Sequence, residues 1–161
     1  MLSMKLDGVE NLDKLLRQMS DGNAAKNIMR MSLREGSKLI EDATKSNAHS
    51  MVGGTMGARI ASKITTRAAK KQKKSEYRLN TIIKGDRKEF LHTTKQGKEY
   101  YIPAAIEYGH TTRGGKKQVA PIPFMRKAFD EKAKQAVKIV VDKAWVLIKK
   151  TFTAGTKRGV S

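Results

Sequence analysis

Apolar residues recur every three or four positions in three stretches of the chain, and this period predicts three amphipathic helices. The first covers residues 9–19, the second about 24–45, and the third, which is the longest, about 124–152. Gly36 lies inside the second helix, where Gly lowers helix stability by about 1 kcal/mol relative to Ala. A closely packed neighbour that leaves no room for a side chain would be a reason for Gly at this position. The solvent face of the second helix is expected to carry Arg30, Arg34, Lys38 and Glu41. The inner face of the third helix is expected to consist of Ala128, Phe129, Ala133, Ala136, Val137, Val140, Ala144, Trp145, Leu147 and Ile148.

Alternating apolar residues predict the strands. Residues 2–6 suit a short strand, 76–84 form the clearest strand of the sequence, and 89–94 are the expected partner of 76–84. Residues 46–57 are rich in Asn, His, Ser and Gly, which predicts a mobile loop. Pro103 suits the first turn of a short helix, and Gly109 is expected to end it in a left-handed conformation.

Together these elements predict an α+β fold. A small antiparallel sheet is packed by an N-terminal helix pair and a long C-terminal helix, with a mobile basic central loop. The length of 161 residues suits a single domain over residues 1–152, and residues 153–161 are expected to form a disordered basic tail. No stretch approaches the roughly 18 uncharged apolar residues of a membrane-spanning helix, so no membrane partner is expected.

The charge adds a prediction about partners. Lys and Arg number 34 against 15 Asp and Glu, a formal net charge of +19, which favours polyanions or acidic proteins. Residues 63–74 contain no acid, and their charge can serve phosphates, an acidic protein ring or solubility alone. Tyr77 is the nearest aromatic residue, so base stacking is poorly supported. The basic residues expected to serve assembly or face DNA are Lys63, Arg67, Lys70, Lys71, Lys73, Lys74, Arg113, Lys116 and Lys117.

No arrangement of residues in the sequence suggests catalysis. The chain has no Cys, and its three His residues, His49, His92 and His110, share no metal-ligand spacing. We expect His49 and His110 in exposed loops and His92 on a strand. The glycine-rich residues 53–57 lack the Lys-Ser/Thr ending of a phosphate-binding loop. We therefore predict no enzyme, cofactor or metal, which disfavours a phosphodiesterase or an RNA-cleaving toxin.

Two short segments contain the most specific pattern. The first is Ile106-Glu107-Tyr108-Gly109, and the second is Pro121-Ile122-Pro123-Phe124-Met125-Arg126 at the start of the third helix. The prolines keep the approach to that helix extended. The carboxylate of Glu107 lies in an apolar, aromatic stretch and must be solvated or paired, with Arg126 or Arg113 as partner.

These segments resemble the neck, or tail-completion, protein family of tailed bacteriophages, which are small head–tail connector components also called minor tail proteins. His110 stands where that family has Thr, and Thr55–Ile60 matches its Thr-Gly-x-Leu element only loosely. The resemblance implies a ring of six or twelve subunits around a DNA channel. It also implies structural or interface roles for Glu107, Tyr108, Gly109, Pro121, Pro123, Phe124, Met125 and Arg126.

The expected function is therefore that of a structural virion protein in the phage neck, assembled in the bacterial host cytoplasm, that joins or completes the head–tail connection. Its expected partners are further copies of itself, the neighbouring connector, stopper, tail-terminator or tail proteins, and the genomic DNA. The alternative is a small basic protein that binds nucleic acid without sequence specificity. For the neck protein, the charge is expected to serve assembly and DNA passage rather than sequence recognition, with contact to an adjoining protein favoured over contact to DNA.

Overall fold

The computed structural model describes residues 12, 22–70, 77–85, 87–95, 97–112 and 117–156. In chain order the elements are α1 (Gly22–Asn47), a π-helical segment (Ala48–Val52), α2 (Gly54–Lys63), β1 (Ile64–Ala68), β2 (Leu79–Ile83), a 3-10 helix (Arg87–Phe90), β3 (Leu91–Thr93), β4 (Glu99–Tyr101), α3 (Ile102–Tyr108), β5 (His110–Thr111), β6 (Gln118–Val119) and α4 (Phe124–Thr156). The predicted α+β class is confirmed, with small antiparallel strand pairs and a long C-terminal helix. The predicted strand 2–6 lies outside the described residues, as does the predicted helix 9–19 except for Leu12, which is helical and buried.

The strands form three separate pairs, β1–β2, β3–β4 and β5–β6. The prediction that residues 89–94 pair with β2 is wrong, because β2 pairs with β1. The Ala69 amide donates to the Arg78 carbonyl over 2.9 Å, and the Lys84 amide donates to the Lys63 carbonyl over 2.6 Å. Residue numbers thus rise along one strand as they fall along the other, so the pair is an antiparallel hairpin.

The predicted mobile loop over residues 46–57 is also wrong, since α1, the π-helical segment and α2 follow one another there with only Gly53 between helical residues. Gly53 and Gly54 have φ of 70° and 56°, a region that glycine enters without steric cost. At Gly57 a Cβ would lie 2.6 Å from the Ala48 carbonyl oxygen. The glycines therefore allow a tight turn and a close contact between two helical segments.

The chain forms two compact units, the first comprising Met1–Leu39, Ala68–Asn80 and Ala133–Ser161 and the second Ile40–Arg67 and Thr81–Lys132. Compact units of this kind need not fold independently, so the single domain over residues 1–152 stays a prediction.

In the first unit, α1 packs against α4. The core of this unit consists of the buried residues Leu12, Ile28, Ala144 and Ile148, with Val141 and Leu147 packed against them. Further along, Gly36 lies against Ala136 and Val140. Because positions later in α1 meet positions earlier in α4, the two helices are antiparallel here, and small residues let their backbones approach closely.

The second unit has a separate core, formed by Ala48, Ile60, Ile64, Phe90 and Phe124. The ring of Phe90 meets that of Tyr101 edge to face, with centroids 6.1 Å apart. Phe124, the first residue of α4, has no exposed surface.

The inner face predicted for α4 is partly wrong. Ala128, Ala133, Ala136, Ala144 and Ile148 are buried as predicted, but Phe129 is 50% exposed. Trp145 is only half-buried, so its truncation would cost less than the about 3–5 kcal/mol typical of a core Trp. The helix also extends four residues beyond the predicted end, to Thr156. None of the helices in the described ranges is long and apolar enough to cross a membrane.

Glu41 was expected on the solvent face of its helix but makes specific contacts. Its carboxylate pairs with Lys45 and accepts a hydrogen bond of 2.7 Å from the Thr66 amide of β1. Burial alone would raise the pKa of Glu41, but the hydrogen bonds from Lys45 and Thr66 and the charge of Lys45 hold that pKa below its ordinary value of 4.5.

The lowered pKa gives a pH-dependent prediction. The folded state favours the ionised carboxylate, so its stabilising contribution is present above about pH 4.5 and is lost as the pH falls through the folded-state pKa. Glu41→Gln should therefore destabilise the protein at pH 7, and the difference from the wild type should shrink at acidic pH. Urea denaturation at several pH values measures this, with Asp42→Asn as the control for a lost charge. A difference that stays constant with pH would contradict the assignment.

A second prediction concerns Gly36. A Cβ at this position would lie 2.5 Å from Cγ2 of Val140 and 2.6 Å from the carbonyl oxygen of Ala136, which cannot rotate away as a flexible side chain can. Gly36→Ala gains about 1 kcal/mol of helix propensity but overpacks the helix contact at a cost of about 1–3 kcal/mol. We expect lower net stability in chemical denaturation.

Gly22→Ala is the matched control, since a Cβ at Gly22 meets nothing within 4 Å. It should leave stability unchanged or raise it slightly. Stabilisation by Gly36→Ala would show that α1 and α4 do not approach as described.

Candidate functional site

The N-terminus of α4 is capped by a side chain from another element. Helices usually begin with a Ser, Thr, Asp or Asn whose side chain accepts the free amides of the first turn. Here the preceding residue is Pro123, which has no acceptor in its side chain. The carboxylate of Glu107, on α3, accepts from the Met125 amide at 2.9 Å and from the Arg126 amide at 3.1 Å instead. A carboxylate at this end of the helix also meets the positive end of the helix dipole.

The side chain of Arg126 also binds Glu107. Its Nε donates to Glu107 Oε1 over 3.2 Å, and a terminal guanidinium nitrogen donates to the Glu107 carbonyl over 3.0 Å. Glu107 is 4% exposed, whereas the Arg126 side chain is 54% exposed. The predicted pairing of Glu107 with Arg126 is confirmed, and Arg113, the other candidate, lies outside the described residues.

Between Glu107 and the start of α4, strands β5 and β6 pair as a short hairpin. The β5–β6 pair matches His110 with Val119, and the Ile122 amide donates to the Ile106 carbonyl over 2.8 Å. Gly109 has the predicted positive φ, 73°, but its ψ of 169° lies outside the left-handed helical region. A Cβ there would lie 2.6 Å from the Val119 carbonyl oxygen, so only glycine fits this close crossing.

Large apolar and aromatic side chains are exposed around this contact. Tyr108 is 68% exposed, and the Arg126 guanidinium lies over its ring at 5.2 Å from the centroid. Phe129, one helical turn after Arg126, is 50% exposed. We call Tyr108, Arg126 and Phe129 the aromatic patch. Of the other motif residues, Phe124 is buried, Met125 and Pro123 are half-buried, and Pro121 is exposed.

The predicted basic residues that the structure describes lie in different elements. Lys63 ends α2 and forms an ion pair of 3.2 Å with Glu89, so its charge is partly offset. Arg67 lies on β1, and Lys70 and Lys117 are exposed outside helices and strands. The remaining residues of this prediction lie outside the described residues: Lys71, Lys73, Lys74, Arg113 and Lys116.

The fold assembles an aromatic stack that the sequence analysis did not anticipate. His92 and Tyr100 are cross-strand partners of β3 and β4 with ring centroids 5.1 Å apart, and His110 stacks on Tyr100 at 6.2 Å. The register of β3 and β4 pairs His92 with Tyr100, and His110 comes from β5 of a separate strand pair, so sequence spacing could not reveal the stack. His49 and His110 lie in the π-helical segment and β5, not in the predicted loops, whereas His92 lies on the predicted strand.

Sequence reasoning also passed over Lys26, which continues the spacing of Arg30, Arg34 and Lys38 along α1. The four-residue interval itself is the signal that could have revealed this array. As for metal ions, the described ranges contain no group of three or more His, Asp or Glu side chains able to hold one.

The capping geometry predicts the effect of changing Glu107. Glu107→Ala leaves two helix amides without an acceptor, and each costs about 1–3 kcal/mol when buried, so we expect a loss of about 2–4 kcal/mol in chemical denaturation. Glu107→Gln should recover little, because one oxygen becomes an NH2 donor that faces another donor. Arg126→Ala should cost only about 1 kcal/mol, since its guanidinium is half-exposed.

The relative stabilities of the three variants test whether Glu107 caps α4. Wild-type stability in Glu107→Gln, or a larger loss in Arg126→Ala than in Glu107→Ala, would mean that the carboxylate does not cap α4.

Comparisons of the chain with protein-family models, with curated proteins and with solved structures gave no match.

Proposed function

We propose that the protein is a structural virion component of a tailed bacteriophage that forms a ring in the neck and joins or completes the head–tail connection. In this role its partners are further copies of itself, the adjoining connector, stopper, tail-terminator or tail proteins, and the DNA that passes through the ring. It would act in the virion after assembly in the host cytoplasm.

The observation that carries the proposal is the capping of α4 by Glu107. The two segments that resemble the neck family are separated in sequence, yet Glu107 of the first accepts the Met125 and Arg126 amides of the second. The contact supports the resemblance, because it joins the two separate segments that carry it.

The aromatic patch supports a role in assembly. Tyr, Phe and Arg are the residue types enriched at protein interfaces and their energetic hot spots. Here Arg126 is held by the buried Glu107 and in turn covers the Tyr108 ring, so these two side chains are in contact before any partner arrives. A preordered surface loses less conformational entropy on binding.

The charge around the patch suits contact between copies. In a chain with net charge +19, copies repel each other through most surfaces. Close to Phe129, however, Glu107 offsets Arg126, Glu131 lies 4.0 Å from Lys127, and Asp130 adds another acid. Positive charge is thus locally balanced where the exposed aromatics lie. Closed rings need a head-to-tail contact between different surfaces, and the patch is proposed as one of the two.

The proposal predicts that the aromatic patch drives assembly. Purified protein should sediment at six or twelve times its chain mass of 17.9 kDa and appear as rings by negative-stain electron microscopy. Phe129→Ser should shift the distribution toward smaller species without unfolding the protein, because Phe129 is half-exposed.

Val146→Ser is the matched control, since Val146 is a similarly exposed apolar residue of the same helix, at 48% exposure, outside the patch. It should leave the rings intact. A wild-type protein that stays monomeric or dimeric would contradict the proposal, whether or not it binds duplex, and would favour a small nucleic-acid-binding protein.

A further inference from the structure

Four cations lie on one side of α1 at intervals of four residues. They are Lys26, Arg30, Arg34 and Lys38, and all four are exposed. A four-residue step returns to nearly the same side of a helix, so these side chains form a continuous row about 18 Å long. We call this row the basic face of α1.

The basic face points away from the core of its unit. The opposite side of α1, half a helical turn from the cations, is buried. It contains Ile28, Ser32 and Gly36, which have the same four-residue spacing. Ile28 contacts the core that includes Ala144 and Ile148 of α4. The residues that share the solvent side with the cations include Asn23 and Asn27, which are exposed and uncharged.

Few acids balance this row within the helix. Between residues 22 and 39 the sequence contains four cations and one acid, Glu35, and Asp42 follows Lys38 at the next four-residue step. Within the described residues, none of the four cations forms an ion pair. Like charges four residues apart destabilise a helix, so three successive pairs oppose the folding of α1. A polyanion laid along the row would relieve that repulsion.

We propose that the basic face of α1 binds the sugar–phosphate backbone of duplex nucleic acid without reading its sequence. A duplex carries one negative charge per about 1.7 Å of its axis, so 18 Å of duplex carries about ten phosphates on its two strands, and the row faces those on one side. Release of the counterions condensed on those phosphates supplies the binding free energy. The sequence of α1 contains no aromatic residue, so this face has no platform for the stacked bases of a single strand.

Other polyanions fit the face less well. A helix that binds an anionic membrane inserts its apolar side into the bilayer, whereas the apolar side of α1 is buried against α4. An acidic protein would pair with all four charges only where its own acids had a matching spacing, whereas every duplex presents phosphates along its whole length. The duplex is therefore the occupant that the geometry favours.

The proposal is independent of the role in the phage neck. Ring formation depends on the aromatic patch, and duplex binding depends on α1, so each can fail while the other holds.

Salt-dependent binding tests the proposal directly. The probe is a fluorescein-labelled duplex of about 20 base pairs, titrated with the full chain in about 50–200 mM KCl and followed by anisotropy. The test variant is K26Q/R30Q/R34Q/K38Q. The control variant, K84Q/K95Q/K98Q/K150Q, removes the same charge from lysines that are exposed elsewhere.

The test variant should lose at least tenfold in affinity in low salt, and its plot of log K against log salt should flatten by about three to four units, about 0.9 for each lost phosphate contact. The control variant should keep most of the wild-type affinity and most of its salt dependence. Two duplexes of unrelated sequence should bind the wild type equally. Gln has a helix propensity close to that of Lys and Arg, so the test variant should fold, with a melting temperature at or above that of the wild type.

Several results would overturn the proposal. The first is that the wild type does not bind duplex, and the second is that the test and control variants lose affinity equally. The third is that polyglutamate competes as effectively as unlabelled duplex, a result that would indicate an acidic protein partner. Should the quadruple variant not fold, R34Q alone must flatten the salt dependence by about one unit.

Discussion

The second unit of this protein depends on how a helix that starts after Pro-Ile-Pro satisfies its first amides. Two prolines hold the approach extended, and Pro123 offers no side-chain acceptor to α4. The missing acceptor comes from Glu107, whose buried carboxylate takes the amides of both Met125 and Arg126. Because the same carboxylate binds the Arg126 side chain, it fixes α3, the start of α4 and the guanidinium over Tyr108 together.

The buried contacts leave two kinds of exposed surface. Around the cap, acids offset the local cations and aromatic side chains remain in solvent, which suits contact between like-charged copies. Along α1 the apolar and small residues are used in packing against α4, so the cations concentrate on the opposite side. The two proposed surfaces therefore differ in chemistry: one is apolar and balanced in charge, and the other is polar and cationic.

Sequence reasoning succeeded where local chemistry decides the structure. The strand at 79–83 and the short helix that begins near Pro103 follow from residue type and spacing, and residue chemistry named Arg126 as one of two candidate partners for Glu107. Sequence reasoning failed where contacts between distant residues decide the structure. Residues 46–57 have a loop-like composition, yet the fully buried Ala48 and the close approach at Gly57 hold them helical. Phe129 matched the apolar spacing of α4, but periodicity cannot tell a core face from an apolar face left for a partner.

Amide hydrogen exchange at the start of α4 tests most directly whether Glu107 caps this helix. The first amides of a helix lack partners within it and normally exchange quickly. If Glu107 accepts them in a buried site, the Met125 and Arg126 amides should exchange as slowly as those in the middle of α4. Fast exchange at both amides, with the rest of the helix protected, would contradict the capping geometry on which the proposed assembly surface depends.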